Sequence, residues 1–181
     1  ESSTATIEPE TSGWTQLIST LSSSTHLQKV WWRLTREVEP ILYRFKVSDD
    51  QAAEICAGLV AFRNARIGNS ASQANTSSTS NTAPTITIQD ANNIALHIGS
   101  AMYGTTSTPS ASPGAWTEVA DFRTASASTN QMMAMSYYTY TSTGATGAIT
   151  ATLANADINV GSLVEIRKKA SLPIELVGST N

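Results

Sequence analysis

The residues with the widest chemical repertoire are two histidines, His26 and His97, and a single cysteine, Cys56. A zinc site needs three or four protein ligands, and these scattered residues do not supply them. The chain has no Gly-x-Ser-x-Gly turn, so its serines gain no support as nucleophiles of a Ser–His–Asp triad. His97 alternates with Leu96 and Ile98, which predicts an exposed side chain on the other side of a strand. We therefore expect no catalytic residue, no bound metal and no cofactor.

Three aspartates form the second candidate set. Asp49 and Asp50 are adjacent, and Asp157 occupies the corresponding place in a second copy of the pattern described below. Paired carboxylates can bind calcium or hydrolyse glycosides. Aspartate also forms ordinary turns through bonds to its own backbone. The turn is the preferred interpretation, and a glycoside-active enzyme stays as an alternative.

Aromatic residues are the remaining candidates. Trp31 and Trp32 are adjacent, so in a strand their side chains face opposite sides. We expect Trp32 to face inward with Val30 and Leu34, and Trp31 to face outward. Tyr138 and Tyr140 pose the same question later in the chain. Outward aromatic rings can stack on sugars or anchor a subunit contact. The candidate surface residues are therefore Trp31, Tyr138 and Tyr140, and the alternative is that they cover a sheet edge.

An internal repeat decides which elements carry these residues. Residues 12–17 (SGWTQL) recur as residues 114–119 (GAWTEV), and similar segments follow each tryptophan. Residues 26–66 alone can be fitted to a helical stripe, although Pro40 would break such a helix. Residues 139–153 of the second copy are rich in Thr, Gly and Ala, which suits strands and turns. If the copies share a fold, both are β-structure.

The predicted fold is all-β: a two-sheet antiparallel β-sandwich, jelly-roll or immunoglobulin-like, built from two internal repeats. We assign residues 1–181 to a single domain, with repeat one at 1–68, repeat two at 84–181 and a Ser/Thr-rich surface loop at 69–83. A flexible linker is the alternative for that loop. The predicted strands are short and evenly spaced along the chain: 4–8, 14–20, 27–36, 41–48, 56–63, 84–88, 94–103, 116–124, 131–141, 147–153, 161–168 and 173–177.

Composition excludes several function classes. The net charge is −3, which argues against a nucleic-acid partner bound through its phosphates. Charged residues make up only 14% of the chain, and 24 Ser and 25 Thr supply much of its polar character instead. No apolar run approaches the length of a membrane span, and the first residues do not resemble a signal peptide. We expect neither a nucleic-acid partner nor a membrane.

The repeated pattern resembles a β-sandwich module of tailed bacteriophages and bacterial cell-surface proteins. The matching motifs are structural: Ser12-Gly13-Trp14-Thr15, Val60-Ala61-Phe62-Arg63, Ala83-Pro84-Thr85-Ile86-Thr87-Ile88 and Pro113-Gly114-Ala115-Trp116-Thr117. The resemblance implies a non-enzymatic structural protein of a virion: a capsid decoration protein, or a head-fibre or tail-fibre module. The alternative is a carbohydrate-binding or adhesive module on the bacterial extracellular surface.

Partners follow from the same comparison of the two copies. The first copy lacks the strand pair that precedes the tryptophan turn of the second, so we expect an open edge beside residues 4–8 or 14–20. A neighbouring virion subunit or an upstream segment would fill it, in a homo-oligomer for which a trimer is favoured over a dimer. Host surface glycans are a further expected partner. The alternative is that residues 69–83 or 173–177 cover the edge within the chain.

Overall fold

The computed structural model describes residues 6–23, 26–35, 39–40, 42–48, 55–102, 114–124 and 131–169. In these ranges the chain is all-β, with no helix, as the repeat predicts. The strands are β1 (Ile7–Pro9), β2 (Thr15–Ser22), β3 (His26–Trp32), β4 (Phe45–Val47), β5 (Ala65–Ala83), β6 (Thr87–Ile88), β7 (Ile94–Ala101), β8 (Thr117–Arg123), β9 (Met132–Thr139), β10 (Gly144–Ala145) and β11 (Ile149–Lys168).

A five-stranded antiparallel sheet forms the centre of the described fold. Its strand order is β5-β11-β7-β9-β8, so β5 and β8 are its edges. Three two-stranded pairs accompany it: β1 with β4, β2 with β3, and β6 with β10. The central strand β7 is buried along almost its whole length, because both of its faces are covered.

One face of the central sheet packs against the β2–β3 hairpin. The hydrophobic cluster there, called the hairpin cluster, has six buried members: Ile18, Leu96, Ile98, Met135, Val164 and Ile166. Half-buried Val60 and Phe62 pack against the same cluster. Burial of these apolar side chains is the main force that holds the hairpin on the sheet.

The opposite face carries a second set of buried residues, called the bend cluster: Ala83, Ile86, Ile88, Ala95, Trp116, Ile149 and Leu163. Members from β5, β6 and β11 lie on both sides of this cluster because the β5–β11 ribbon bends back over the sheet. Register shifts at Thr152/Asp157 and Asp157/Asn159 mark the bend. Gly161 pairs with Gln73, yet a Cβ on it would lie 2.4 Å from the Thr82 carbonyl oxygen. Only glycine permits that close approach.

Three asparagines satisfy the backbone where the bend interrupts the ladder. The buried Asn81 amide donates to the Val160 carbonyl at 3.0 Å and to Asn159 Oδ1 at 3.0 Å. Asn75 donates to the Thr82 carbonyl at 3.1 Å and to the same Asn159 oxygen at 2.9 Å. Buried main-chain acceptors need such partners, so these amides stabilise the folded-back ribbon.

Several predicted segments need correction. Residues 69–83 are not a surface loop, because they lie in strand β5 and pair with β11. Residues 56–62 belong to no ladder, although their side chains alternate as in a strand. The predicted strands 147–153 and 161–168 are one strand, β11, and the turn expected at Asp157 is an irregularity within it. The predicted strand at 173–177 lies outside the described residues.

The two tryptophan motifs share a local arrangement. Trp14 precedes the antiparallel pair β2–β3, and Trp116 precedes the antiparallel pair β8–β9. The surroundings differ, because β9 also pairs with β7 in the central sheet, whereas β2 and β3 form a separate two-stranded sheet. The two-repeat sandwich therefore stays a prediction, as does the assignment of one domain to residues 1–181.

Candidate functional site

Trp31 lies on β3, on the side opposite Val30, which packs on the hairpin cluster. Its ring is half-buried, and the Lys29 ammonium lies 5.6 Å from the ring centroid. Lys29 is held by Glu8 at 2.6 Å. A cation over an indole face occupies the surface that a sugar ring would use. The expected inward position of Leu34 is wrong, since this side chain is 66% exposed beyond the end of β3.

Tyr138 and Tyr140 are half-buried and pack against the bend cluster. The Tyr138 ring lies 5.9 Å from Trp116 and 5.1 Å from Tyr140 in edge or tilted contacts. Burial, with a smaller effect from Tyr138, raises the pKa of Tyr140 to about 12. The two tyrosines pack on the bend cluster, whereas Trp31 lies on the hairpin strand β3 and faces away from the hairpin cluster, so the structure does not bring the three candidates together. A contact role for each stays a prediction.

The expected exposure of His97 is wrong. This side chain is 2% exposed, and its ring lies 6.3 Å from Trp116. Burial lowers the pKa of His97 to about 4, against a smaller opposing effect of a hydrogen bond to the Asn81 main chain. Alternation along β7 gave the correct phase, with Leu96 and Ile98 on one face. The error arose because the second face of β7 is also covered.

His26 forms an arrangement that resembles part of a catalytic triad. Its ring nitrogens are hydrogen-bonded to Ser100 Oγ at 2.9 Å and to Gln131 Oε1 at 3.1 Å. Both His26 and Ser100 are buried, and Gln28 also donates to Ser100 Oγ at 3.0 Å. Burial lowers the pKa of His26, in spite of the Gln131 bond. A nucleophile must reach its substrate, and Ser100 is buried. The geometry therefore favours a structural role for His26 and Ser100, between β3 and the central sheet.

The two buried carboxylates, Asp157 and Glu165, serve the fold. Asp157 is buried, and its Oδ1 accepts a bond from the Ile158 amide at 2.6 Å. Glu165 is fully buried, and three N–H groups donate to it, from Asn69, Gln89 and Asn93. This set ties β5 and the turn before β7 to β11. Among the described residues no group of three or more His, Cys, Asp or Glu side chains could hold a metal. Asp49 and Asp50 lie outside them.

An aromatic cluster that spacing alone did not reveal surrounds Arg33. The Arg33 guanidinium lies 5.6 Å from the Trp14 ring and 5.3 Å from Tyr43, and it pairs with Glu39 at 3.0 Å. Trp14 also contacts Phe45 at 5.5 Å between centroids. The cation therefore links the β1–β4 pair to the β2–β3 hairpin. The sequence signal is weak, because these residues are dispersed along the chain.

An open groove adjoins this cluster. It is lined by Gly13, Thr15, Trp32, Arg33 and Leu34. An indole and a threonine hydroxyl are groups that bind polar ligands with an apolar face, such as sugars. The groove is therefore a candidate site for a small ligand.

Among the stretches of main chain that have no strand partner in the described residues, two also lack charged side chains. Within the described residues, no strand pairs with the outer edge of β5, whose residues from Ile67 to Ala83 include no ionisable side chain. The other stretch, residues 55–62, is called the apolar segment (sequence ICAGLVAF). Native proteins commonly protect strand edges with charges or proline. Neither device is present in either stretch, so both are candidate contact surfaces.

Comparisons of the chain with protein-family models, with curated proteins and with solved structures found no match. In the part of the chain that the structure describes, no helix has the length and apolarity that a membrane crossing needs.

Proposed function

We propose that this chain is a non-enzymatic structural protein of a tailed-phage virion, as a capsid decoration, head-fibre or tail-fibre module. It acts through contacts between subunits and through display of its surface. Support comes from the all-β fold, from the burial of both histidines and from the resemblance in the sequence. Copies repeated on a particle turn weak individual contacts into firm attachment.

The observation that carries this proposal is the edge strand β5. It has 19 residues, and from Ile67 to Ala83 its exposed side chains are small and uncharged. The hairpin reaches β5 through side chains, with Thr20 bonded to Ser72 and Ser22 to the Asn75 carbonyl, and forms no ladder with it in the described part. A long neutral edge offers main-chain donors and acceptors to another strand. In a monomeric protein such an edge promotes aggregation, whereas in an assembly it can form the contact between subunits.

Lysines on this edge test the proposal. Ala74→Lys with Thr76→Lys places two charges on exposed positions of β5 and should abolish ordered assembly of the purified chain. Thr117→Lys, at an exposed position of the other edge strand, is the matched control and should leave assembly unchanged. Electron microscopy and sedimentation velocity provide the measurements. An unassembled wild-type chain, or equal assembly by both variants, would count against the proposal. The expected trimer stays a prediction.

A carbohydrate-binding or adhesive module of a bacterial surface protein is the second candidate function. The groove beside Arg33 favours it, because Trp32 and Thr15 line an open surface there. Glycan-array binding by the wild-type chain, lost in Trp32→Ala and kept in Trp31→Ala, would support this function. Absence of glycan binding by the folded wild-type chain would rule out this second candidate function.

A further inference from the structure

The apolar segment has the side-chain pattern of a strand. Val60 and Phe62 are half-buried and pack against the hairpin cluster, and Cys56 donates its thiol hydrogen to the Phe122 carbonyl at 3.5 Å. The alternate residues are exposed, including Ile55 at 41% and Leu59 at 65%. Every side chain from Ile55 to Phe62 is apolar or absent apart from the Cys56 thiol. One face therefore serves the core, and the other presents apolar surface to solvent.

The main chain of the same segment has no main-chain partner among the described residues. None of its residues belongs to a ladder, and none forms a main-chain hydrogen bond to another described residue. The segment therefore combines the side-chain alternation of a half-buried strand with the open N–H and C=O groups of a sheet edge. A strand added alongside would satisfy those groups and bring its own side chains beside Leu59.

We infer that the apolar segment pairs antiparallel with the apolar segment of a second copy, around a two-fold axis near Leu59. A two-fold axis brings the same segment of both copies together, so the residues that face each other across the axis must be compatible in charge and size. With Leu59 on the axis, Ala57 faces Ala61 and Ile55 faces Arg63, and no like charges meet. The two Leu59 side chains then lie side by side on the outer face of the joined strands, while Val60 and Phe62 stay on their own cores. A partner strand with charged side chains is disfavoured, because its charges would lie beside the apolar side chains of Ile55 and Leu59.

This inference rests on the proposed function in so far as it specifies one contact between subunits. The contact differs from the β5 edge, so the two can fail separately. A two-fold contact joins copies in pairs, and combined with a three-fold contact elsewhere it gives six copies.

The first test compares two leucines of equal exposure. Leu59 is 65% exposed and Leu34 is 66% exposed, so a lysine at either position should be equally compatible with folding. Leu59→Lys should raise the dissociation constant of the pair more than about tenfold, because it places two charges on the axis. Leu34→Lys should leave the constant unchanged. Sedimentation velocity over a concentration series measures both, and circular dichroism confirms the fold of each variant.

A cysteine on the axis supplies a second, independent readout. In a Cys56→Ser background, Leu59→Cys should form a disulfide between copies on mild oxidation with diamide, because paired antiparallel strands bring opposing Cα atoms within disulfide range. Leu34→Cys in the same background should stay monomeric on a non-reducing gel.

Three results would overturn the inference: a wild-type monomer, equal dissociation constants for the two lysine variants, or no cross-link at position 59. A monomer whose residues 55–62 resist hydrogen exchange would instead show a cover from the same chain, for example from residues 173–177. If the β5 lysine variant fails to assemble while copies still cross-link through a cysteine at position 59, both the pairing of the apolar segments and the proposed function are supported. Assembly that withstands the β5 lysines while the cross-link forms would refute the β5 argument alone.

Discussion

His97 is the residue whose chemistry depends most on its position in the sheet. Its imidazole faces the bend cluster between Leu163 of β11 and Ser136 of β9, and its Nε2 atom has no hydrogen-bond partner. A charged ring there would be desolvated with no counter-ion to offset it. The neutral ring, by contrast, packs as an apolar side chain against Trp116.

This burial predicts a pH-dependent stability. The pKa of His97 is about 4 in the folded chain and about 6.5 when unfolded, so between these values the unfolded state binds more protons. The free energy of unfolding should therefore fall by about 3 kcal/mol as the pH drops from 6.5 to 4. Above pH 6.5 the stabilisation that comes from the neutral His97 ring is fully present. Urea titrations at several pH values measure it. His97→Gln should flatten the slope in that window, and an unchanged slope would contradict the assignment.

At the scale of the elements, the folded-back ribbon of β5 and β11 determines the architecture. The ribbon contributes to the central sheet at one end and to the bend cluster at the other, and Gly161 lies where the two layers meet. The three asparagines supply hydrogen bonds where the ladder is irregular at the bend. Their loss would remove the Asn75 bond to the Thr82 carbonyl and the Asn81 bond to the Val160 carbonyl.

Gly161→Ala tests this bend. The added Cβ would strike the Thr82 main chain, which cannot move as a side chain can, so we expect a loss of about 2 kcal/mol. Gly114→Ala is the matched control, because its nearest contact is a side-chain atom, in the Tyr138 ring at 3.0 Å, which would need to move by only a few tenths of an ångström. Chemical denaturation of both variants provides the comparison. Equal, small losses would mean that the layers do not approach as closely as described.

The elements also show what a sequence can and cannot reveal. The repeat correctly indicated β-structure where residues 26–32 had a helical appearance, because Thr-rich residues in the second copy are incompatible with a helix. Residues 69–83 were misassigned, because Ser, Thr and Asn are common in loops yet also fit a ladder with β11. For His97 and residues 55–62, local alternation gave the phase. How many neighbours a strand acquires depends on distant residues, and alternation carries no information on that.

At the scale of the whole molecule, the contrast lies between buried polar groups with several partners and stretches of main chain with no strand partner among the described residues. The Glu165 carboxylate and the Asn81 amide group belong to the first kind, and the outer edge of β5 and the apolar segment belong to the second. Under the proposed function, the second kind is where contacts between subunits form.

Hydrogen exchange of the 181-residue chain at a dilute and at a concentrated condition, resolved by peptide, tests this account most directly. The account predicts that amides of residues 55–62 and of the β5 edge exchange freely when dilute and become protected when concentrated, while the amides of β7 are protected in both. Exchange at those two stretches that is the same at both concentrations, whether fast or slow, would contradict it.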